Sequence, residues 1–122
     1  MINTETMSQI EMNKVVIQRY FEAYNNKNEA IFDEIIAPEY VDHGQSASGI
    51  GVAGAKHDLN SLDKLDEFNY VVEAMIASEA YLDHVGAYWK GSLTPKATSS
   101  DTQNNKIITY RGVSICRIQN GK

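Results

Sequence analysis

The sequence predicts an α+β domain in which helices pack on one face of a curved antiparallel sheet. Three observations predict it. In residues 13–65 apolar side chains recur at helical spacing, in runs separated by Asn-, Pro- and Gly-containing breaks. From residue 68 onward the runs alternate instead and are rich in β-branched and aromatic residues. The helices precede the strands without β-α-β alternation, which argues for segregated layers rather than a parallel sheet. At 122 residues the chain forms one domain, residues 1–122, with no internal repeat and no linker long enough to divide it.

The elements follow in order. Residues 1–11 are polar and aperiodic and are expected to be a loose tail. A first helix opens at Asn13, where Val16, Tyr20, Ala23 and Tyr24 share a face that Ile17 and Phe21 widen. Residues 25–28 break it, and Asn28 is placed to cap a second helix over residues 29–36, which buries Ile31, Phe32, Ile35 and Ile36. Pro38 stops that helix, and residues 40–43 (YVDH) read as a short strand closed by Gly44. After the small residues 45–51, a third helix runs to about residue 65 with Val52, Ala55, Leu59 and Leu62 on one side. Strands are predicted over residues 68–77, 81–93 and 107–119, with a polar loop at 94–106.

The first strand is apolar on both faces: Phe68, Tyr70, Val72 and Ile76 alternate with Val71, Met75 and Ala77. One face is expected to meet the helices and the other a second copy, giving a homodimer through the sheet. The final stretch, ICRIQNGK, ends in the Asn120-Gly121 pair that favours a type I′ hairpin turn, yet no return strand follows Lys122. The closing strand is therefore expected to be missing, and a shortened chain is the favoured explanation.

Composition narrows the function. The chain is 43% hydrophobic and 22% charged, with a net charge of −5, so no broad electrostatic grip on nucleic acid or an anionic membrane is expected. The single Cys116 excludes an internal disulfide and a cysteine-rich zinc site. His43, His57 and His84 are scattered without metal-ligand spacing, so no metal is expected. The glycines of residues 49–54 follow a loop rather than a strand and do not make a phosphate-binding turn. No signal segment or membrane span is visible, which reads as a cytoplasmic protein.

Residues 13–43 (NKVVIQRYFEAYNNKNEAIFDEIIAPEYVDH) resemble the opening of the SnoaL-like polyketide cyclase family: an amphipathic helix, an Asn-rich break, a second helix ending in Ala-Pro, then an aromatic-Val-Asp-His segment. The likeness continues in DHVGAYWKG at 83–91 and in ITYRGVSICRIQNGK at 108–122. The resemblance implies a nuclear transport factor 2-like cone, three N-terminal helices on a curved antiparallel sheet enclosing an apolar pocket, with dimers formed through the outer sheet face. It implies no cofactor. Relatives of this fold include cyclases, a ketosteroid isomerase, dehydratases, epoxide hydrolases and non-catalytic proteins, so fold alone does not choose among them. Two features depart from the family pattern. The acid/base aspartate expected after the Asn-Gly-Lys turn would fall beyond Lys122, and the family's Gly-Thr-His run is here Gly91-Ser92-Leu93.

Cyclisation or isomerisation begins with removal of a proton from carbon beside a carbonyl, which needs a base in a dry pocket and a donor for the enolate oxygen. Asp42 is the candidate base; alternatively it bonds turn amides before Gly44. His43 belongs to the family-like signature and is either a second catalytic group or a structural histidine. Tyr20 sits in a run resembling the first helix of ketosteroid isomerase and is a candidate donor to the oxyanion; Tyr24 lies one turn on, and both also fit a helix core. Trp89 and Tyr110 are candidate walls for a flat apolar or aromatic ligand, with Ser114 and Cys116 on the same face as Tyr110, Cys116 acting as a small hydrophobe. Arg111 would hold a carboxylate if it pointed inward and is a solvated charge if outward. The leading expectation is a cofactor-independent cyclase or isomerase acting on a small apolar carbonyl compound. The alternatives are a ligand-binding or dimeric interaction module and, third, a dehydratase or epoxide hydrolase relative.

Overall fold

The structure is a computed structural model that describes residues 4–42, 50–62, 65–78, 80–95 and 107–122. It contains α1 (Thr4–Asn26), α2 (Ala30–Ile35), α3 (Gly51–Ser61), β1 (Leu65–Ala77), β2 (His84–Pro95) and β3 (Ile108–Arg117). The strands form one antiparallel sheet in the order β1-β2-β3, and helices followed by sheet is the arrangement the sequence predicts.

α1 corrects the expected tail, because it starts at Thr4 rather than Asn13. The reason is tertiary. Asn13 is a buried polar residue on the apolar stripe: its Nδ2 donates to the Leu82 carbonyl at 2.7 Å, and its Oδ1 accepts from Gln9 Nε2 at 3.0 Å. Ile10 is buried one turn earlier. These contacts tie the early turns to the β1–β2 connection, and a polar residue at a core position hides that from a periodicity count.

α1 ends as the Asn-rich break predicts. Lys27 adopts a left-handed φ of 51°, and the Asn28 amide reaches back to the Ala23 carbonyl at 2.9 Å. Such a Schellman-type closure usually uses glycine, so this lysine is held in an unfavoured conformation. Asn28 Oδ1 then accepts from the Ala30 amide at 3.2 Å, supporting the start of α2. After Pro38 the chain does not form the expected short strand: residues 40–42 are irregular, with the Tyr40 amide on the Ala37 carbonyl at 3.1 Å and the Gly51 amide on the Tyr40 carbonyl at 2.8 Å. The backbone groups of this segment serve a turn and the entry to α3, not a neighbouring strand. Gly51 is required there. Its φ is +72°, and a β-carbon would lie 2.7 Å from the Pro38 carbonyl oxygen.

Two clusters join the layers. Ala23, Tyr24, Phe32, Ile35, Ile36, Ala55 and Leu59 pack the three helices together, with Phe68 and Tyr70 of β1 against them. Ile17 and Phe21 pack on Val85, Ala87 and Ile118, fixing α1 across the sheet. Phe32 is fully buried, a contribution of about 1.5–3 kcal/mol for such a side chain. β1 carries an irregularity between Val72 and Ala74 that reverses its alternation. Met75, not Ile76, therefore joins the core with Tyr70 and Val72, and Ile76 is 70% exposed on the outer face, contrary to the strict alternation expected of β1.

The edge of β1 is met by Asn25, whose amide group both donates to the Tyr70 carbonyl (2.8 Å) and accepts from the Tyr70 amide (2.7 Å), as a strand neighbour would. At the other end, Asn120 and Gly121 have φ of 55° and 80°, and Gln119 and Lys122 exchange backbone hydrogen bonds at 2.9 and 3.1 Å. This is the type I′ turn that the sequence predicts. Among the described residues β3 pairs with β2 alone.

Candidate functional site

The sheet face toward the helices carries a ladder of rings. Strand pairing sets Trp89 opposite Gly112, Gly91 opposite Tyr110, Ala87 opposite Ser114 and Val85 opposite Cys116. Residues directly opposite share a face, so Tyr110, Ser114 and Cys116 line up beside Trp89 as expected. Tyr70, Trp89 and Tyr110 meet edge to face at 5.3 and 5.5 Å between centroids. Glycines make this possible. A β-carbon on Gly112 would lie 2.4 Å from the Trp89 ring, and one on Gly91 would lie 2.7 Å from the Tyr110 ring. The rings lie flat over the neighbouring strand because those positions have no side chain. Trp89 Nε1 donates to Ser114 Oγ at 3.0 Å.

Across from this ladder stand Tyr20 and Tyr24 of α1 and the segment Tyr40–Asp42. Tyr20 and Tyr24 hydroxyls are 3.5 Å apart, and Tyr40 donates to Asp42 Oδ2 at 3.4 Å. Burial is the main cause raising the Tyr20 pKa, helped by the neighbouring Tyr24 and Tyr40. Burial pushes Tyr24 up to about 12, the charges of Asp58 and Asp42 adding to it and the hydrogen bond from Tyr20 opposing it. Tyr40 is raised by burial, its hydrogen bond with Tyr20 opposing the shift, and Tyr70 is raised by burial and its bond with Tyr110. The Cys116 thiol is raised to about 11 by burial and then by the charge of Asp42. Tyr20, Tyr40, Asp42, Tyr70, Trp89 and Ser114 are each partly buried, and Tyr70 meets Phe21 and Tyr24 of α1 edge to face at 5.6 and 5.8 Å between centroids.

The structure sets Tyr20 beside Tyr24 on α1, Trp89 beside Tyr110 and Ser114 on the sheet, and Asp42 beside Tyr40. His43 lies outside the described residues. Arg111 points outward and pairs with Glu73 at 3.0 Å, which settles its two readings in favour of a surface charge. His57 is exposed on α3, and His84 shares Asp83 with Arg117 at the start of β2. Sequence reasoning missed Tyr40 and Tyr70 as members of the hydroxyl cluster. Tyr40 was hidden by its reading as a strand residue, and Tyr70 by the apolar character of both faces of β1. Two open depressions lie elsewhere: one of about 520 Å³ beside Lys27, Phe68 and Thr94, and one of about 460 Å³ on the outer face at Ile76, Tyr81 and Ile115. Neither contains Asp42, whose surroundings decide the chemistry more than volume does. Among the described residues no group of three or more His, Cys, Asp or Glu side chains is gathered to hold a metal, and no helix is long and apolar enough to cross a membrane.

Residues 14–122 match the family profile of SnoaL-like polyketide cyclases. The chain belongs to that family. A search of curated proteins finds no match. Among solved structures, this SnoaL-like domain is similar to a candidate polyketide cyclase from Acidithiobacillus ferrooxidans, at 20% identity and a TM-score of 0.73, over 90% of this chain and 81% of that one. It is also similar to a protein with a ketosteroid isomerase-like fold from Catenulispora acidiphila, solved with trimethylamine, at 14% identity and a TM-score of 0.70, over 88% and 78% of the two chains. A third likeness is to an LEH-like epoxide hydrolase from M. tuberculosis, at 11% identity and a TM-score of 0.68, over 92% and 77%. At these identities the likeness establishes the fold, and the different activities in those names leave the chemistry to this chain's own residues.

Proposed function

We propose that this SnoaL-like domain is a cofactor-independent small-molecule protein that performs acid–base chemistry on an apolar carbonyl compound, as in an intramolecular aldol cyclisation or an isomerisation. The observation that carries this reading is the position of Asp42: a half-buried carboxylate bonded by Tyr40, which packs with Tyr20 and Tyr24 of α1. Asp42 takes the proton from carbon beside the carbonyl, and Tyr40 aims the carboxylate. Tyr20 and Tyr24 stand on the helix side as donors for the developing oxyanion, and His43 follows Asp42 in chain as a second proton-transfer group. Tyr24, Trp89, Tyr110 and Ser114 hold the ligand, whose flat apolar body fits the edge-to-face rings. The outer sheet face exposes Ile76, Val113 and Ile115, which fits a homodimer through the sheet. A cytoplasmic setting belongs to the same reading.

Deuterium uptake beside the carbonyl of small aryl ketones, followed by NMR, tests the chemistry. Wild-type protein is expected to accelerate exchange, and Asp42→Asn to lower the acceleration by about 10²-fold or more. Equal exchange by both proteins removes Asp42 from the role. A second reading is a ligand-binding or interaction module of the same fold. It is favoured by Gly91-Ser92-Leu93, where the family-like histidine run is absent. Binding of the ketones without any accelerated exchange would select it.

A further inference from the structure

The outer face of the sheet carries a notch. Strand register sets Gly86 of β2 opposite Ile76 of β1 on one side and opposite Ile115 of β3 on the other. Residues directly opposite share a face, so a row reading Ile-Gly-Ile crosses the three strands. The two isoleucines stand about 10 Å apart, two strand spacings, with no side chain between them. A β-carbon on Gly86 would meet nothing closer than Ile76 at 3.8 Å. The space over Gly86 is therefore open, whereas rings fill the space over Gly91 and Gly112. The result is the depression of about 460 Å³ whose lining includes Ile76, Tyr81, His84, Val113 and Ile115.

One end of this notch is polar. His84 precedes Gly86 by two residues and so lies on the same face of β2. Its Nδ1 is 2.8 Å from Asp83 Oδ1. The bond with His84, and after it the bond with Arg117, hold the Asp83 carboxyl below its usual range, so it is ionised and can only accept. Nδ1 therefore carries the hydrogen, and Nε2 of the neutral ring is left as an acceptor. Tyr81 steadies the imidazole from the side: the two rings meet edge to face at 6.0 Å between centroids, and the His84 amide donates to the Tyr81 carbonyl at 3.0 Å. Among the described residues Nε2 makes no hydrogen bond. An oriented acceptor at the end of an apolar notch fits a ligand with a flat apolar body and one hydrogen to donate.

We propose that the notch over Gly86 is a second ligand site, which takes an aromatic alcohol with its ring between Ile76 and Ile115 and its O–H donated to His84 Nε2. The site lies on the opposite face of the sheet from the aromatic ladder and does not depend on Asp42. A second copy on this face would cover the notch, so ligand and copy exclude each other.

The test compares 2-naphthol with 2-methoxynaphthalene by calorimetry at neutral pH. The ether keeps the ring and an acceptor oxygen and loses only the donor. Wild-type protein is expected to bind the naphthol about fivefold to tenfold more tightly, the usual worth of one neutral hydrogen bond. His84→Leu keeps apolar bulk without the nitrogen and should remove the preference. Gly86→Leu fills the notch and should weaken both compounds by about tenfold or more. By NMR the His84 Nε2 resonance should move with naphthol and stay in place with the ether. A naphthol preference that survives in His84→Leu overturns the assignment of the acceptor. Unchanged affinities in Gly86→Leu overturn the location, as does a dimer that takes up naphthol without shifting toward monomer. Tighter binding of 2-naphthoate than of naphthol by wild type would mean that His84 meets its ligand as a charged donor, which overturns the ligand class. Binding of none of the compounds overturns the site and leaves the Asp42 reading untouched.

Discussion

Gly112→Ala is the sharpest test of the aromatic ladder. The added β-carbon would sit 2.4 Å from Cζ2 of Trp89 and within 2.9 Å of two further ring atoms. Ordinary carbon contacts are about 3.5–4.0 Å, so the indole must retreat by roughly 1 Å or more. It has little room, because its edge-to-face contacts with Tyr70 and Tyr110 and its hydrogen bond to Ser114 all depend on its present plane. Forced overpacking costs about 1–3 kcal/mol, and weakening the indole hydrogen bond adds about 1 kcal/mol. Against this, replacing glycine by alanine in extended backbone returns about 0.4–1 kcal/mol through the unfolded chain. The net expectation is a loss of about 2–3 kcal/mol, which lowers the urea midpoint by roughly 1 M or more. The assay is urea unfolding followed by tryptophan fluorescence, which reports this ring alone because Trp89 is the sole tryptophan of the chain. Gly86→Ala is the control: its β-carbon would meet nothing closer than 3.8 Å, and it should change stability by less than about 0.5 kcal/mol. If Gly112→Ala is as stable as wild type with the same emission maximum, the ring does not lie over the glycine and the ladder is wrong.

Asn13→Ala should cost about 1–3 kcal/mol, read as a lower urea midpoint, because it strips the Leu82 carbonyl of its donor; an unchanged midpoint would detach the early turns of α1 from the β1–β2 connection. Stability should also fall at alkaline pH. Burial raises Cys116 from 9.0 to about 11 and Tyr24 from 10.0 to about 12. The folded state therefore holds these protons more tightly than the unfolded state, so the stabilisation is complete below about pH 9 and is lost as pH rises through 11–12. Thermal unfolding between pH 7 and 11 checks this, and a melting temperature that stays flat to pH 11 would contradict the burial of these groups. On the outer face, Ile115→Glu should convert a homodimer to monomer at micromolar concentration by sedimentation equilibrium, since Ile115 is 76% exposed beside Ile76 and Val113 in the apolar patch; a monomeric wild type would leave that face without the proposed partner.

Most of the architecture was legible because it rests on period and on turn chemistry. Helix and strand order, the type I′ turn at Asn120-Gly121 and the shared face of Tyr110, Ser114 and Cys116 all follow from local rules. What escaped was set by contacts distant in sequence. Asn13 looks like a helix boundary until Leu82 supplies its partner. Ile76 looks like a core residue until the irregularity at Val72–Ala74 turns it outward. The YVD segment has the composition of a strand, but the backbone groups of Tyr40 go to Ala37 and Gly51, and Asp42 lies in an irregular segment instead of a sheet.

That last displacement matters for the site. On a strand, adjacent side chains point to opposite faces, and Asp42 and His43 would divide between two environments. In the irregular segment Asp42 is positioned by Tyr40, two residues earlier, rather than by strand alternation. The glycines show the same principle from the sheet side. Gly91 and Gly112 carry no chemistry and weaken a strand by propensity alone. Paired across the sheet with Tyr110 and Trp89, they are the positions over which the rings lie, and the indole laid down over Gly112 is the one that bonds Ser114. A site of this kind is encoded in pairings: a carboxylate with the tyrosine two residues before it, and an indole with the glycine and serine of the neighbouring strand. Either partner of such a pair, taken alone, has the composition of an ordinary core or loop residue.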